Sequence, residues 1–344
     1  MARAPFKVSR GRRRAIALSV IAGSVMYASL PTRLERAAIA AQPPAVTTVA
    51  VTRVDRDELM RVVRTLASPD LQGRRTGSPG GLTARRFIRD AFQKMGLAPA
   101  APDFLQPFSF EGASAPGLRG RAAPSVRYDD AANVMAQVAG TRVDSRAIVV
   151  SAHYDHVGVR NGVVYPGADD NASGVAALMA IAGYVSQQPL EHRIILVALD
   201  GEEFDLQGAK AFIKAPPVPV SAMALNINFD MVSRNDRREI YAAGTYHTPS
   251  LAPIVEEVRQ RSTVTILLGH DRPQSSRDEP EDWTPQSDHG EFHKAGVPFL
   301  YFGVENHPDY HRPTDTADKI NPQFFGDVVD MLLDFVVTAD QQLR

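Results

Sequence analysis

Four short apolar runs, Ala147–Ala152, Ile194–Leu199, Ala224–Phe229 and Val297–Phe302, punctuate the second half of the chain without polar alternation. Near-continuous runs of this length belong to strands buried on both faces of a mostly parallel sheet. Between them, Ser173–Val185, Leu206–Ile213 and Pro249–Arg261 place apolar residues at helical spacing, and Pro322–Gln341 closes the chain as another helix. Upstream, Asp55–Leu66 and Leu82–Met95 read the same way, with Gly96 capping the second. The stretch Ser68–Gly81 between them is a Gly/Pro-rich loop. Residues 99–125 lack a period and are predicted to wrap the surface. Asp271–Pro285, polar and Pro-rich, reads as a long functional loop. The alternation of strands and helices predicts an α/β three-layer sandwich, with a central, mostly parallel mixed sheet flanked by helices. One domain over residues 54–344 is the simplest organisation, preceded by a leader (1–40) and a linker (41–53).

Charge divides the chain in the same place. The whole sequence carries 38 Lys+Arg and 39 Asp+Glu. Eight of the basic residues and one acidic residue, Glu35, lie in residues 1–40, which leaves 30 basic against 38 acidic groups, a net of −8, beyond them. Met1–Arg14 is basic, Ala15–Leu30 is uncharged, and Ala38-Ile39-Ala40 offers small residues to a signal peptidase. That order predicts export to the periplasm or beyond by a Sec or, given Arg12-Arg13-Arg14, a twin-arginine route. The apolar run is shorter than the roughly 20 residues of a spanning helix; an uncleaved leader would instead anchor the chain to the membrane. An acidic body does not suit nucleic acid. No cysteine is present, which removes disulfides, thiol nucleophiles and Cys-type metal sites. Any metal must therefore be held by His and carboxylates.

Those residues follow the strands. After Ala147–Ala152 come His153, Tyr154 and Asp155, and PGADDNASG (166–174) opens the next helix. Asp200, Glu202 and Glu203 follow the second run, Asp230 the third, and His307, Tyr310 and His311 the last. Ligands of open α/β sheets bind outside the carboxyl ends of the strands. His153, Asp170, Glu203, Asp230 and His311 make a set of two His and three carboxylates. Such a set suits two divalent cations sharing a carboxylate, and its nitrogen and oxygen donors are typical of zinc. Without a metal, three carboxylates packed together would be very costly.

The motifs resemble those of the M28 metallopeptidases, the bacterial aminopeptidase type with two zinc ions. The resemblance runs through LASPDLQGRRTGSPG (66–80), SAHYDHVG (151–158), PGADDNASG (166–174), DGEEFDLQGAKAF (200–212), INFDMVSRN (227–235), QSDHGEF (286–292), GVP (296–298) and HPDYHRPTDT (307–316). It implies two Zn2+ ions, with Co2+ or Mn2+ as substitutes. His153 and Asp230 would hold one ion, Glu203 and His311 the other, and Asp170 would bridge them. Asp169 would be a structural neighbour. Glu202 would act as general base and Tyr310 would supply a phenol to the oxyanion. Asp155 would accept a hydrogen bond from His153 and fix its tautomer, and Asp288 would support the ligands in the same way. His307 would serve loop structure or substrate contact, His289 would support the loop, and His156 would lie at the surface or behind the ligands. Asp205 and Ser233 stand where the family commonly has Gly.

The resemblance implies aminopeptidase activity on peptides with a free N-terminus. Two other readings compete: a glutaminyl cyclase-like acyltransferase on the same fold, and a non-catalytic binding protein. An M20-type deacylase is excluded, because the 80 residues between Asp230 and His311 leave no room for a lid domain of about a hundred residues.

Overall fold

Apolar residues on successive strand positions face opposite ways, so a run that is apolar throughout must be covered on both sides. The computed structural model, which describes residues 54–113, 124–143, 146–276 and 279–343, has that arrangement. The leader and linker expected over residues 1–53 lie outside the described residues. Strands β1 (Ala98–Pro99), β2 (Leu105–Ala113), β3 (Ser125–Val138), β4 (Ala147–His153), β5 (Gly158–Arg160), β6 (Val163–Tyr165), β7 (Arg193–Leu199), β8 (Met223–Phe229), β9 (Glu239–Ala243), β10 (Thr265–Leu268) and β11 (Phe299–Gly303) are joined by helices. These helices are α1 (Arg56–Leu66), α2 (Pro79–Lys94), α3 (Gly174–Gln187), α4 (Gln207–Lys214), α5 (Ala252–Arg261), α6 (His289–Lys294) and α7 (Pro322–Gln342).

Nine strands form one mixed sheet in the order β1-β3-β7-β4-β8-β11-β9-β10, with β2 paired along β3; β5 and β6 make a separate hairpin. The middle four, β7-β4-β8-β11, are mutually parallel, whereas β3 and β9 join them antiparallel. Ile148, Val150 and Ala152 of β4 pack with α1, α2, α3, α5 and α7, while Val149 packs with Phe212 of α4 and Phe292 of α6. On β7, Ile194, Leu196 and Ala198 join the first cluster, and Ile195, Val197 and Leu199 the second. The sandwich is the one expected. Among the described residues no helix is long and apolar enough to cross a membrane.

Local signals set the helix starts. The Asp55 carboxylate accepts from the Glu58 N–H at 3.0 Å, and the Ser78 hydroxyl oxygen accepts from the Gly81 N–H at 3.1 Å. Helix α2 begins three residues before the apolar period does, because Pro79 is preset for the first helical position. The surface-wrapping expectation for residues 99–125 is corrected over Leu105–Ala113, while residues 114–123 lie outside the described residues. Leu105–Ala113 is a strand antiparallel to β3. Its aromatic residues supply what its weak period lacks: Phe110 stacks on Tyr128 at 4.9 Å, and Phe204 packs against both.

One buried cation ties the Gly-rich loop to the strand ends. Arg74 is fully buried and donates to the carbonyls of Tyr154 (2.9 Å), Leu66 (2.7 Å), Pro166 (2.6 Å) and Gly167 (2.8 Å). Burial pulls its pKa down to about 10, against the attraction of Asp170, Asp315 and Asp155, so it remains charged at neutral pH. Four carbonyls thus depend on one guanidinium. Arg74→Met should lower the unfolding free energy by about 2–4 kcal/mol, since buried acceptors lose their donor. Urea denaturation measures this, and an unchanged midpoint would contradict the assignment.

Candidate metal centre

Every candidate ligand leaves the carboxyl edge of the parallel strands. His153 is the last residue of β4; Asp155 and His156 follow it. Asp170 lies in the turn that enters α3. Glu202 and Glu203 form a 3-10 turn directly after β7, Asp230 follows β8, and His311 lies in the loop after β11. His311 itself has φ +52, a left-handed conformation that a non-glycine residue adopts at a cost.

The five predicted ligands meet in two adjoining groups. In the first, His153 Nε2 is 3.3 Å from Asp230 Oδ1 and 3.4 Å from Asp170 Oδ1. Glu202 shares this group. In the second, His311 Nε2 is 3.0 Å from Asp170 Oδ2 and 3.3 Å from Glu203 Oε1. The two oxygens of Asp170 therefore face different groups, which is the arrangement a bridging carboxylate needs.

His156 belongs here too. It is fully buried, so the surface placement expected for it is corrected. Its Nδ1 is 2.7 Å from Glu203 Oε1 and 3.6 Å from Asp170 Oδ2. A signal was present in the sequence: His153 and His156 flank the same Asp155 directly after a buried strand.

The residues fit divalent cations on three counts. The donors are nitrogen and oxygen, suited to zinc, cobalt or manganese. Glu203 Oε1 and both ring nitrogens of His156 are buried without a hydrogen-bond partner, although Glu203 and His156 approach closely. The charges of the two groups also act strongly on one another. Burial opposes the charge on His311, yet the close carboxylates of Asp170 and Glu203 push it up to about 10. Burial likewise opposes charge on Glu203, which His156 and His311 nevertheless hold well below its ordinary range. Glu202 goes the other way: burial, together with Asp230, Asp288 and Glu203, raises it well above that range despite His153.

Supporting contacts fix the loops. His153 Nδ1 lies 3.2 Å from the backbone carbonyl of Asp155, and 3.7 Å from that residue's carboxylate. The tautomer-fixing contact expected of Asp155 therefore falls to its carbonyl. Its carboxylate instead accepts from the N–H groups of Glu202 (3.0 Å) and Glu203 (3.3 Å), which orients the Glu-Glu turn. Asp288 is fully buried with both carboxylate oxygens unpartnered; burial, with Asp155 and Asp230 nearby, pushes it up to about 8. Asp169 points away from the two groups and accepts from the Ser233 hydroxyl (2.6 Å) and N–H (2.8 Å). His307 Nε2 lies 3.1 Å from the same carboxylate, so His307 holds loop structure. The Asp315 carboxylate accepts from the Asp169 and Asp170 N–H groups, each at 3.1 Å, a role not read from the sequence. His289 Nε2 contacts the Trp283 carbonyl at 3.0 Å. Tyr310 stacks on His311 with ring centroids 4.0 Å apart.

The two departures from the family pattern have local accounts. Ser233 adds a hydroxyl donor to buried Asp169. Asp205 has φ +67, where Gly is unstrained and Asp is one of the better tolerated alternatives.

Beside the two groups opens a cavity of about 180 Å³, lined by Met231, Trp283, Tyr301 and Val304, by the polar Gln286, Ser287, Asn306 and Tyr310, and by Asp170, Glu202, Asp230 and His311. One amino-acid side chain fills such a space.

Metal uptake should release protons. His311 at about 10, and His153, which Asp230 and Glu202 raise well above its ordinary value against the opposing effect of burial, are protonated at pH 7 without metal. Imidazole ligates only when neutral, so binding at pH 7 should displace at least about two protons and weaken as pH falls. Zinc calorimetry in buffers of different ionisation enthalpy reads the number; buffer-independent enthalpies would contradict it.

Comparison with known proteins places these features. Residues 133–336 match the model of peptidase family M28, an interval that holds all five predicted ligands. The Gly-rich loop with Arg74 precedes it. The probable lipoprotein aminopeptidase LpqL of Mycobacterium tuberculosis is 28% identical over 246 residues, covering 61% of this chain and 47% of LpqL. The chain spans less than two thirds of the length of the first curated relatives it matches. In fold it is similar to an aminopeptidase from Aneurinibacillus sp. strain AM-1 (TM-score 0.68, 17% identity, 83% of this chain and 94% of that one). It is also similar to the Porphyromonas gingivalis glutaminyl cyclase (TM-score 0.63, 16% identity, 85% and 100%). The family model covers more than half of the sequence and the sheet, the strand ends and the clustered donors agree with it: the chain belongs to peptidase family M28.

Proposed function

We propose that this chain is a metal-dependent aminopeptidase that hydrolyses the first peptide bond of substrates with a free N-terminus. The observation that carries this reading is the placement of Asp170, one oxygen toward His153 and Asp230 and the other toward Glu203 and His311. His153 and Asp230 would hold one zinc ion, Glu203 and His311 the other, with Asp170 between them. When bound, such a pair supplies a Lewis acid for the scissile carbonyl and a water acidified to near neutrality.

The chain's own residues do the rest. Glu202 faces the first group, and its carboxyl, raised by burial and by its acidic neighbours, suits a group that takes a proton from water and returns it to the leaving amine. Met231, Trp283, Tyr301 and Val304 of this lining would receive the N-terminal side chain, and the carboxylates of the same cavity would meet the free amino group. Tyr310 lines the same cavity, and burial, with Asp170 and Asp230 nearby, raises its pKa, so its hydroxyl stays protonated as a donor to the developing oxyanion. Relatives named as aminopeptidases add support. Residues 1–40 fit export, with 54–344 as the catalytic domain.

Glu202→Gln should keep the metal complement and lower kcat on aminoacyl amides by about 100- to 10,000-fold. Full activity in that variant would remove Glu202 from the mechanism. Cyclisation of N-terminal glutaminyl peptides without amide hydrolysis would favour the acyltransferase reading.

A further inference from the structure

We propose that His156 is a direct ligand of the ion held by Glu203 and His311, so that three imidazoles, not two, serve the pair. The inference rests on the metal-dependent reading above and adds a donor to it. In a tetrahedral zinc site with bonds of about 2.0–2.1 Å, neighbouring donor atoms stand about 3.3 Å apart. The four separations between an imidazole and a carboxylate in this group bracket that value: His156 Nδ1 to Glu203 Oε1 2.7 Å, His156 Nδ1 to Asp170 Oδ2 3.6 Å, His311 Nε2 to Asp170 Oδ2 3.0 Å, and His311 Nε2 to Glu203 Oε1 3.3 Å. The His156 and His311 rings converge at 67°, their centroids 5.6 Å apart, each presenting a nitrogen to the same two carboxylates.

Hydrogen bonding does not account for the ring. His156 Nδ1 and Glu203 Oε1 approach closely, yet neither has a hydrogen-bond partner, because the ring N–H direction misses the oxygen. The other nitrogen, Nε2, has none either. A fully buried imidazole with both nitrogens unpartnered is costly. A cation between Nδ1 and Oε1 satisfies both atoms through their lone pairs. The fold also keeps the ring in place: Gly167 packs against it so closely that an added Cβ would lie 2.5 Å from a ring carbon.

With His156, the second group has four protein donors (His156, Asp170, Glu203 and His311), whereas the first has His153, Asp230 and the other oxygen of Asp170, with Glu202 beside them. The two ions would then be unequal. The second would be held as a structural zinc is, and the first would keep the open position that chemistry needs. His156 would be a determinant of metal retention, and the exchangeable ion would be the one next to Glu202.

The test compares wild type, His156→Gln and His156→Cys by metal content after dialysis, zinc titration and the absorption of the cobalt-loaded proteins. Gln is polar and of similar reach but is a poor zinc ligand. Cys supplies a thiolate, and the chain has no other cysteine. The expected result is two ions in wild type and a loss in His156→Gln of more than the about 10- to 100-fold that partners behind the ligands cost. That loss should fall on one ion alone, with the other unchanged as the control for folding. Cobalt-loaded His156→Cys should hold two ions and show thiolate-to-cobalt charge transfer in the near ultraviolet. Wild-type affinity for both ions in His156→Gln, or two cobalt ions in His156→Cys without that band, would overturn the inference and leave the aminopeptidase reading standing. A wild-type protein that binds no divalent ion would overturn both.

Discussion

Carboxylates gather in a dry interior only where something positive joins them or protons neutralise them. Asp155, Asp170, Asp200, Glu203, Asp230 and Asp288 are buried or nearly so at one edge of the central sheet, with Glu202 beside them. Among the described residues the nearby basic side chains include three histidines and Arg74, and Arg74 spends its donors on backbone carbonyls. Much of the surrounding architecture follows from this imbalance. Two divalent ions would supply +4 where the buried charge is most concentrated, and the acidity of the sequence beyond the basic leader would be in part a metal site seen without its metals.

The sheet explains why the donors can be so closely set. Parallel strands buried on both faces are the most rigid part of the fold, and their ends place side chains with little freedom. The loops that leave them are then tied by a few buried polar groups. Asp155 holds the N–H groups of Glu202 and Glu203; Asp315 holds those of Asp169 and Asp170; Arg74 binds the chain on both sides of the hairpin β5–β6. None of these three groups need touch substrate. Each sets the position of one that would.

The strands and the gathering of the candidate donors are legible because both leave dense signals: apolar runs long enough to read, each followed by His or carboxylate. Elements made by long-range pairing are not. Strand β2 has a weak period and depends on β3 and on an aromatic cluster that includes Phe204, far along the chain. For His156 only the surface alternative fails, because a histidine beside a ligand motif looks like any loop residue until the fold buries it. Arg74 was hidden similarly, as one basic residue in a polar, Gly-rich loop. Asp155 was found, but its mode of action was not, since the choice between its carbonyl and its carboxylate depends on where the Glu202–Glu203 turn lands. In each case the missing information was a contact between distant segments, which spacing alone does not encode.

The central claim is that Asp170 stands between two cations. A crystal of the zinc-loaded protein, with anomalous difference density recorded on both sides of the zinc edge, tests it most directly. Two peaks about 3.5–4 Å apart are expected, both in contact with Asp170. One peak should lie against His153 and Asp230, and the other against Glu203 and His311. A single peak away from Asp170, or none in fully loaded protein, would contradict it.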